Sequence, residues 1–233
     1  MSCNLLNHED IKKFEFDVHD REPLFFDIET GPCEVAEMQG LMPEFHAPSN
    51  WKDPAKIEAN IAEQENKWLE NAALNPLVGE IVAFGFRYKE INYAIDWGEP
   101  TPEQVLLHGI ELLAAKAGPR TWVGHNIKDF DLPFILRRFM KYQIPQPSGW
   151  FKDRYWSTWF VDTSDLWALG KFKDYIGLDP LAKFLGHKDG KFGKSGKYFA
   201  DTLKADPDVA YEYLANDLEL TEYVYRRLTY AGK

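Results

Sequence analysis

Acidic side chains recur in three separated stretches of this 233-residue chain. Asp27 and Glu29 close the apolar run Leu24-Phe25-Phe26-Asp27-Ile28-Glu29. Asp131 ends Asn126-Ile127-Lys128-Asp129-Phe130-Asp131, and Asp217 follows Tyr213 by four residues. Four convergent carboxylates could hold two hard divalent cations, and such a pair suits in-line attack on a phosphodiester. No one stretch decides this alone; their order, spacing and local setting together carry the reading.

The three stretches must sit on particular elements for that chemistry to work. Leu24 to Ile28 has the composition of a buried strand, ended by Thr30-Gly31-Pro32. Side chains alternate across a strand, so Asp27 and Glu29 share one side and Ile28 takes the other. Two like charges so placed repel unless a cation lies between them. Asp131 falls in the first turn of a helix predicted over 131–142, where the helix dipole favours an anion and Pro133 is tolerated. Tyr213 and Asp217 lie one turn apart on a long helix predicted over 207–228, so a phenol sits beside a carboxylate.

Between these lie the remaining elements. Residues 1–22 read as an N-terminal extension and 23–233 as a single domain. Residues 33–76 read as an insertion: a Pro-, Gly- and Glu-rich loop to about residue 50, then a helix capped by Asp53 with Pro54 in its first turn. Ile57, Ile61, Trp68 and Ala72 share one face of that helix; Glu58, Glu63, Glu65 and Lys67 occupy the other. Ile81 to Tyr88 and Ile91 to Ile95 are strands joined at Lys89-Glu90, with a helix from Glu103 to Ala117 following. Short strands at 121–124 and 159–162 precede helices starting at 131 and 163, and a short helix spans 178–185. Strands joined closely at first, then alternating with helices, predict an α/β fold with a mixed five-stranded sheet flanked by helices.

Composition sets the outer limits. Apolar residues make up 45% and aromatics 15%, enough for a core and against disorder. The apolar runs are strand-length, far short of the ~20 residues that span a bilayer, and the first ten residues lack a signal-peptide core, so no membrane partner is expected. Cys3 and Cys33 alone offer no disulfide framework, and a reducing cytoplasm, bacterial or that of a phage host, is the expected compartment. A net charge of −10 argues against non-specific adhesion to nucleic acid, although bound metal would cancel part of it locally. One basic stretch departs from the acidic balance: Lys188, Lys191, Lys194 and Lys197, interleaved with glycines, either guide a strand or simply solvate a loop.

At this point a resemblance can be stated. LFFDIETG, GHNIKDFDLPFI and YEYLANDLELT resemble the three motifs of DnaQ-like 3′–5′ exonucleases of the ribonuclease H-like superfamily. The tyrosine-x-x-x-aspartate form of the third resembles the DEDDy branch; the sister branch would place histidine where this chain has Glu212. VDTSDLW and LDPLAKFLG are similar to proofreading domains related to family B DNA polymerases. The resemblance covers about residues 22–228 and excludes the inserted helix and the lysine–glycine loop. It implies a ribonuclease H-like sheet and a metal-dependent 3′–5′ exonuclease that releases nucleoside 5′-monophosphates, with single-stranded DNA 3′ ends as substrate. A separate polymerase or replication and repair proteins are the implied partners. It further implies that Asp27, Glu29 and Asp217 bind one cation and that Asp27 is shared with a second, which Asp131 supports. Tyr213 would position water. Magnesium or manganese suits such an all-oxygen set, whereas zinc would recruit His or Cys. Thr30 and Phe130 are candidates to contact the terminal nucleotides, and Asn126 either bonds the substrate or holds its loop; His125 reads as structural. A ribonuclease D-like exoribonuclease and a non-catalytic nucleic-acid-binding module are the rival readings.

Neutralising Lys191, Lys194 and Lys197 together is expected to weaken single-strand binding and flatten its salt dependence. A salt slope equal to that of the parent protein would return the loop to solvation alone.

Overall fold

The computed structural model describes residues 2–17, 19–96, 102–152, 155–171, 174–188 and 198–230. In chain order these form β1 (Asn4–Leu6), α1 (His8–Lys13), β2 (Leu24–Pro32), α2 (Val35–Gln39), α3 (Pro54–Glu70), β3 (Gly79–Tyr88) and β4 (Ile91–Ile95). Then follow α4 (Glu103–Ala117), β5 (Trp122–Gly124), α5 (Asp131–Tyr142), the small hairpin β6 (Phe151–Lys152) and β7 (Tyr155–Trp156), and β8 (Phe160–Asp162). The chain closes with α6 (Thr163–Ala168), α7 (Leu178–Phe184), α8 (Phe199–Ala205) and α9 (Pro207–Leu228). Lys191, Lys194 and Lys197 lie outside the described residues.

The main sheet runs β1-β4-β3-β2-β5-β8. β3 is antiparallel to both β2 and β4, whereas β5 pairs parallel with β2, and β8 parallel with β5. The mixed sheet expected from the element order is therefore present, with β2 near its centre. A sixth strand joins the expected five because residues 4–6 pair parallel with β4 at the far edge. Asn7 fixes the next turn: its side-chain oxygen accepts from the N–H of Glu9 (2.9 Å) and Asp10 (3.1 Å), and Asp10 returns a bond to Asn7 N–H. Ile11 is thereby fully buried in the main core. Composition hid this because only one residue in that polar turn faces inward.

Alternation along β2 divides the molecule into layers. Leu24, Phe26 and Ile28 enter the core shared with α4 and α5, while Phe25 faces the opposite side and meets Tyr225 of α9 with ring centroids 5.7 Å apart. The main core includes Leu106, Ile110, Leu113, Phe134 and Phe139, all fully buried. Lys89 and Glu90 both have positive φ, 48° and 64°, the backbone of a two-residue hairpin turn that matches strand twist. β2 continues through Pro32 rather than stopping at Thr30, because its far end still pairs with Glu80 and Gly79. The register shifts between Glu29 and Thr30, where Val82 is left out of the pairing. Such an irregularity re-aims the neighbouring side chains.

The insertion is partly as expected. Asp53 caps α3 by accepting from Ala55 N–H at 3.1 Å, and Pro54 occupies its first turn. The helix ends at Glu70, with a 3-10 turn over Ala72–Leu74, and the preceding loop contains α2. α3 has no fully buried residue; Trp68 packs only partly against Cys33, Met38, Ala72 and Val78.

A buried ion pair ties this insertion to the core. Arg138 of α5 donates from Nε to Glu103 Oε1 at 2.7 Å and from Nη2 to Glu103 Oε2, and its Nη1 donates to the Pro76 carbonyl at 3.0 Å. Glu103 Oε1 also accepts from Ile81 N–H at 2.8 Å. Four segments thus meet at one charge pair: α4, α5, the start of β3 and the exit from the insertion. Removing one partner of a buried pair leaves the other charge uncompensated, at a cost of about 3–5 kcal/mol. Arg138→Met is accordingly expected to lower stability by about that amount in urea unfolding. An unchanged midpoint would mean that the pair does not hold these segments.

Candidate active site

β2 and α9 bring the first and third acidic motifs together. Asp27 and Glu29 both project from β2 toward α9, and Asp217 meets them there; ligand oxygens of the three lie within 4.8 Å of one another. Asp27 is half-buried, while Glu29 and Asp217 are 6% and 3% exposed. Asp131 stands beside this cluster, on the first turn of α5. Its Oδ1 accepts from the N–H of Ile28, the residue between the two acids of β2, at 3.1 Å. Burial pushes the Asp131 carboxyl well above the usual range, and the charge of Asp27 adds to the push, against the lowering effect of the Ile28 N–H.

Two close approaches allow the helices to reach this strand. A Cβ on Gly85 of β3 would lie 2.8 Å from Leu214 of α9, and one on Gly31 of β2 would lie 2.9 Å from Ala200 Cβ of α8. Only glycine permits both contacts, so α8 and α9 sit directly on the strands. Tyr213, one turn before Asp217, is buried, and its ring centroid lies 6.1 Å from that of Phe199 on α8. The phenol is thus walled in beside the acids.

The second motif is organised by a residue that its own stretch does not contain. Asp162, at the end of β8, accepts from Asn126 N–H (2.8 Å), Lys128 N–H (2.9 Å), Ser164 N–H (2.9 Å) and Ser164 Oγ (2.8 Å). Asn126 has φ +63°, so this turn is held in a conformation that Asn tolerates better than most residues. The ring nitrogens of His125 lie 2.8 Å from Thr163 Oγ1 and 2.9 Å from the Ile176 carbonyl, a structural clamp as expected. Beside it Tyr175 feels the charges of Asp162, Asp129 and Asp131; burial foremost, then these acids, push its phenol up to about 12. Asp162 could have been suspected from an aspartate that ends a strand before Thr-Ser. Nothing local in the chain points to Tyr175.

A cleft of about 270 Å³ opens beside Glu29, the one acid of the four among its lining residues, with Thr30, Phe130, Glu70, Asn71 and Leu74 also lining it. Thr30 and Phe130, candidates from opposite motifs, therefore share one wall with Glu29. Asn126 is not among the lining residues; its placed interaction is the backbone bond to Asp162.

Comparison with known proteins bears on the fold. The family model of the DNA polymerase family B exonuclease domain matches residues 60–165, a span that includes Asp131 but neither Asp27 nor Asp217. The family B DNA polymerase of the hyperthermophilic archaeon Pyrobaculum calidifontis superposes on 90% of this chain with a TM-score of 0.55 and 14% identity. The chain shares its fold with the matching part of that polymerase. It spans a quarter (25%) of the length of that polymerase. The Aedes aegypti Nibbler EXO domain is similar over 98% of this chain and 89% of its own, with a TM-score of 0.51 and 12% identity. No curated protein matches the sequence significantly. The resemblance drawn from the three motifs thus holds for the exonuclease fold as a whole, and in sequence over residues 60–165. Among the described residues, no helix is long and apolar enough to cross a membrane.

Asp162→Ala would strand several buried donors of the second-motif turn, and hydrogen bonds to a charged group are worth about 1.5–3 kcal/mol each. The variant is expected to lose at least about 3 kcal/mol in urea unfolding, and Asp162→Asn less, because its amide oxygen still accepts. Equal stability in all three proteins would show that the turn holds itself.

Proposed function

We propose that this protein is a metal-dependent exonuclease that removes nucleotides from the 3′ end of single-stranded DNA and releases nucleoside 5′-monophosphates. The observation that carries the reading is the meeting of Asp27, Glu29 and Asp217, from a central strand and a distant helix, within 4.8 Å. The donor set supports a divalent cation of the magnesium or manganese kind, because every contributing atom is a hard carboxylate oxygen. The cost of ionising Asp131 fits the same conclusion: burial and then the charge of Asp27 push its carboxyl up, and a cation beside it would lower that cost. When bound, a pair of such ions supplies polarisation of the attacking water and neutralisation of the charge that develops on the phosphate.

The chain's own residues do the remaining work. Asp27, Glu29 and Asp217 would hold one ion, with Asp27 shared and Asp131 supporting the second. Tyr213, fixed beside Phe199, orients the attacking water through its phenol. Phe130 offers a ring on which any base can stack, which suits trimming without regard to sequence, and Thr30 borders the same cleft. The family model supports DNA as the substrate, since the domain it describes belongs to DNA polymerases.

The direct test incubates end-labelled single-stranded DNA, duplex DNA and RNA with magnesium, manganese or a chelator. A ladder growing from the 3′ end of single-stranded DNA, abolished by chelator, is the expected result; faster digestion of RNA would reassign the substrate to RNA. Asp27→Ala and Asp217→Ala should each remain folded and lose activity, and residual turnover in both would refute the ligand assignment. Tyr213→Phe keeps the ring contact with Phe199 and is expected to slow turnover by roughly 10²–10⁴-fold if the phenol moves a proton, and by less if it only orients water. A parent-like rate would remove Tyr213 from the chemistry.

A further inference from the structure

The first cleft does not end at the acids. One of its walls is built by the insertion, through Glu70, Asn71, Ala73 and Leu74. Asn71 also lines a second cleft of about 320 Å³, whose other lining residues are Phe45, Gln64, Lys67, Trp68 and Asn75. The two clefts are therefore neighbours that share a residue, and both lie against the end of α3. Phe45 and Trp68 are half-buried there, each with part of its ring surface open. Among the described residues that line the two clefts, Lys67 alone is a cation.

We propose that the second cleft is a subsite for the single strand upstream of its terminal nucleotide, with a base against Phe45 and Trp68 and a phosphate against Lys67. The proposal rests on the exonuclease reading for the identity of the strand. Three observations support it. Aromatic rings beside one cation and amide side chains form the usual combination for sequence-independent single-strand binding. Asn71 lines both clefts, so the second lies next to the one beside Glu29, as a strand reaching both requires. And α3 contributes no fully buried residue to any core, so folding alone does not account for a 17-residue amphipathic helix. Its acidic residues Glu58, Glu63 and Glu65 are exposed and line neither cleft.

The experiment compares substrates that do and do not reach the second cleft. With magnesium present, kcat/KM is measured for oligothymidylates of increasing length and for the p-nitrophenyl ester of thymidine 5′-monophosphate, which fills the first cleft alone. In the parent protein the ratio of long oligonucleotide to ester should be large. In Phe45→Ala/Lys67→Ala that ratio should fall at least about tenfold, through KM rather than kcat, as expected for one lost stacked base. Lys67→Ala alone should flatten the salt dependence of oligothymidylate binding by about one phosphate contact. A ratio unchanged in the double variant overturns the subsite, as does an equal loss on the ester. If neither probe is hydrolysed but oligothymidylate binding still depends on Phe45 and Lys67, the exonuclease reading falls and the subsite stands. Trp68 is left intact because its ring also packs against the Cys33–Met38 cluster.

Discussion

Negative charge gathered in a confined space is the constraint on which this molecule turns. Glu29, Asp131 and Asp217 are nearly inaccessible to water, Asp27 is half-exposed, and three of the four bring oxygens within 4.8 Å of each other. Isolated carboxylates so placed would lose hydration and repel one another. The Ile28 N–H bonded to Asp131 is one offset. The fold therefore has to be rigid around the site, because any relaxation of the helices would let the acids drift apart.

That rigidity has identifiable sources. α9 is held against β3 by contact at Gly85, and α8 against β2 at Gly31, which sets how closely Asp217 and Tyr213 approach the strand. α5, which carries Asp131, is anchored two turns further along by Arg138, whose guanidinium satisfies Glu103 and the Pro76 carbonyl together. The second-motif turn is held by Asp162, with His125 joining it to the segments around Thr163 and Ile176. Arg138 and Asp162 are buried polar groups with several partners, the kind of network that fixes one geometry because partial satisfaction is so costly. Arg138 also links the site to the insertion, so the wall made by Asn71 and Leu74 and the strand carrying Glu29 are referenced to the same point.

Motifs of short range were legible along the chain because their periodicity is local. The placement of Asp27 and Glu29 on one side of a strand, Asp131 in a first helical turn, and Tyr213 with Asp217 on one face follows from repeats of two and of 3.6 residues. The limits of α5 and α9, the inward residues of α4 and the cap at Asp53 follow in the same way. β1 and α1 were not legible, because one buried isoleucine in a polar segment carries no pattern. Nor was the extension of β2 through Pro32, which depends on partners in β3 nearly fifty residues away in the chain. Asp162 belongs to the site only through contacts made in space.

By itself, then, the chain determined which residues could do chemistry, which element would carry each, and that strands and helices would alternate into a mixed sheet. These depend on neighbours within a few positions, and residue type is enough to set them. Only the tertiary structure decided that Asp27, Glu29 and Asp217 share one small volume while Asp131 stands at its side, and that the insertion borders the same cleft. Distances between segments far apart in the chain are set by how closely helices can pack on strands. That closeness is a property of the whole core, down to a missing Cβ at Gly85.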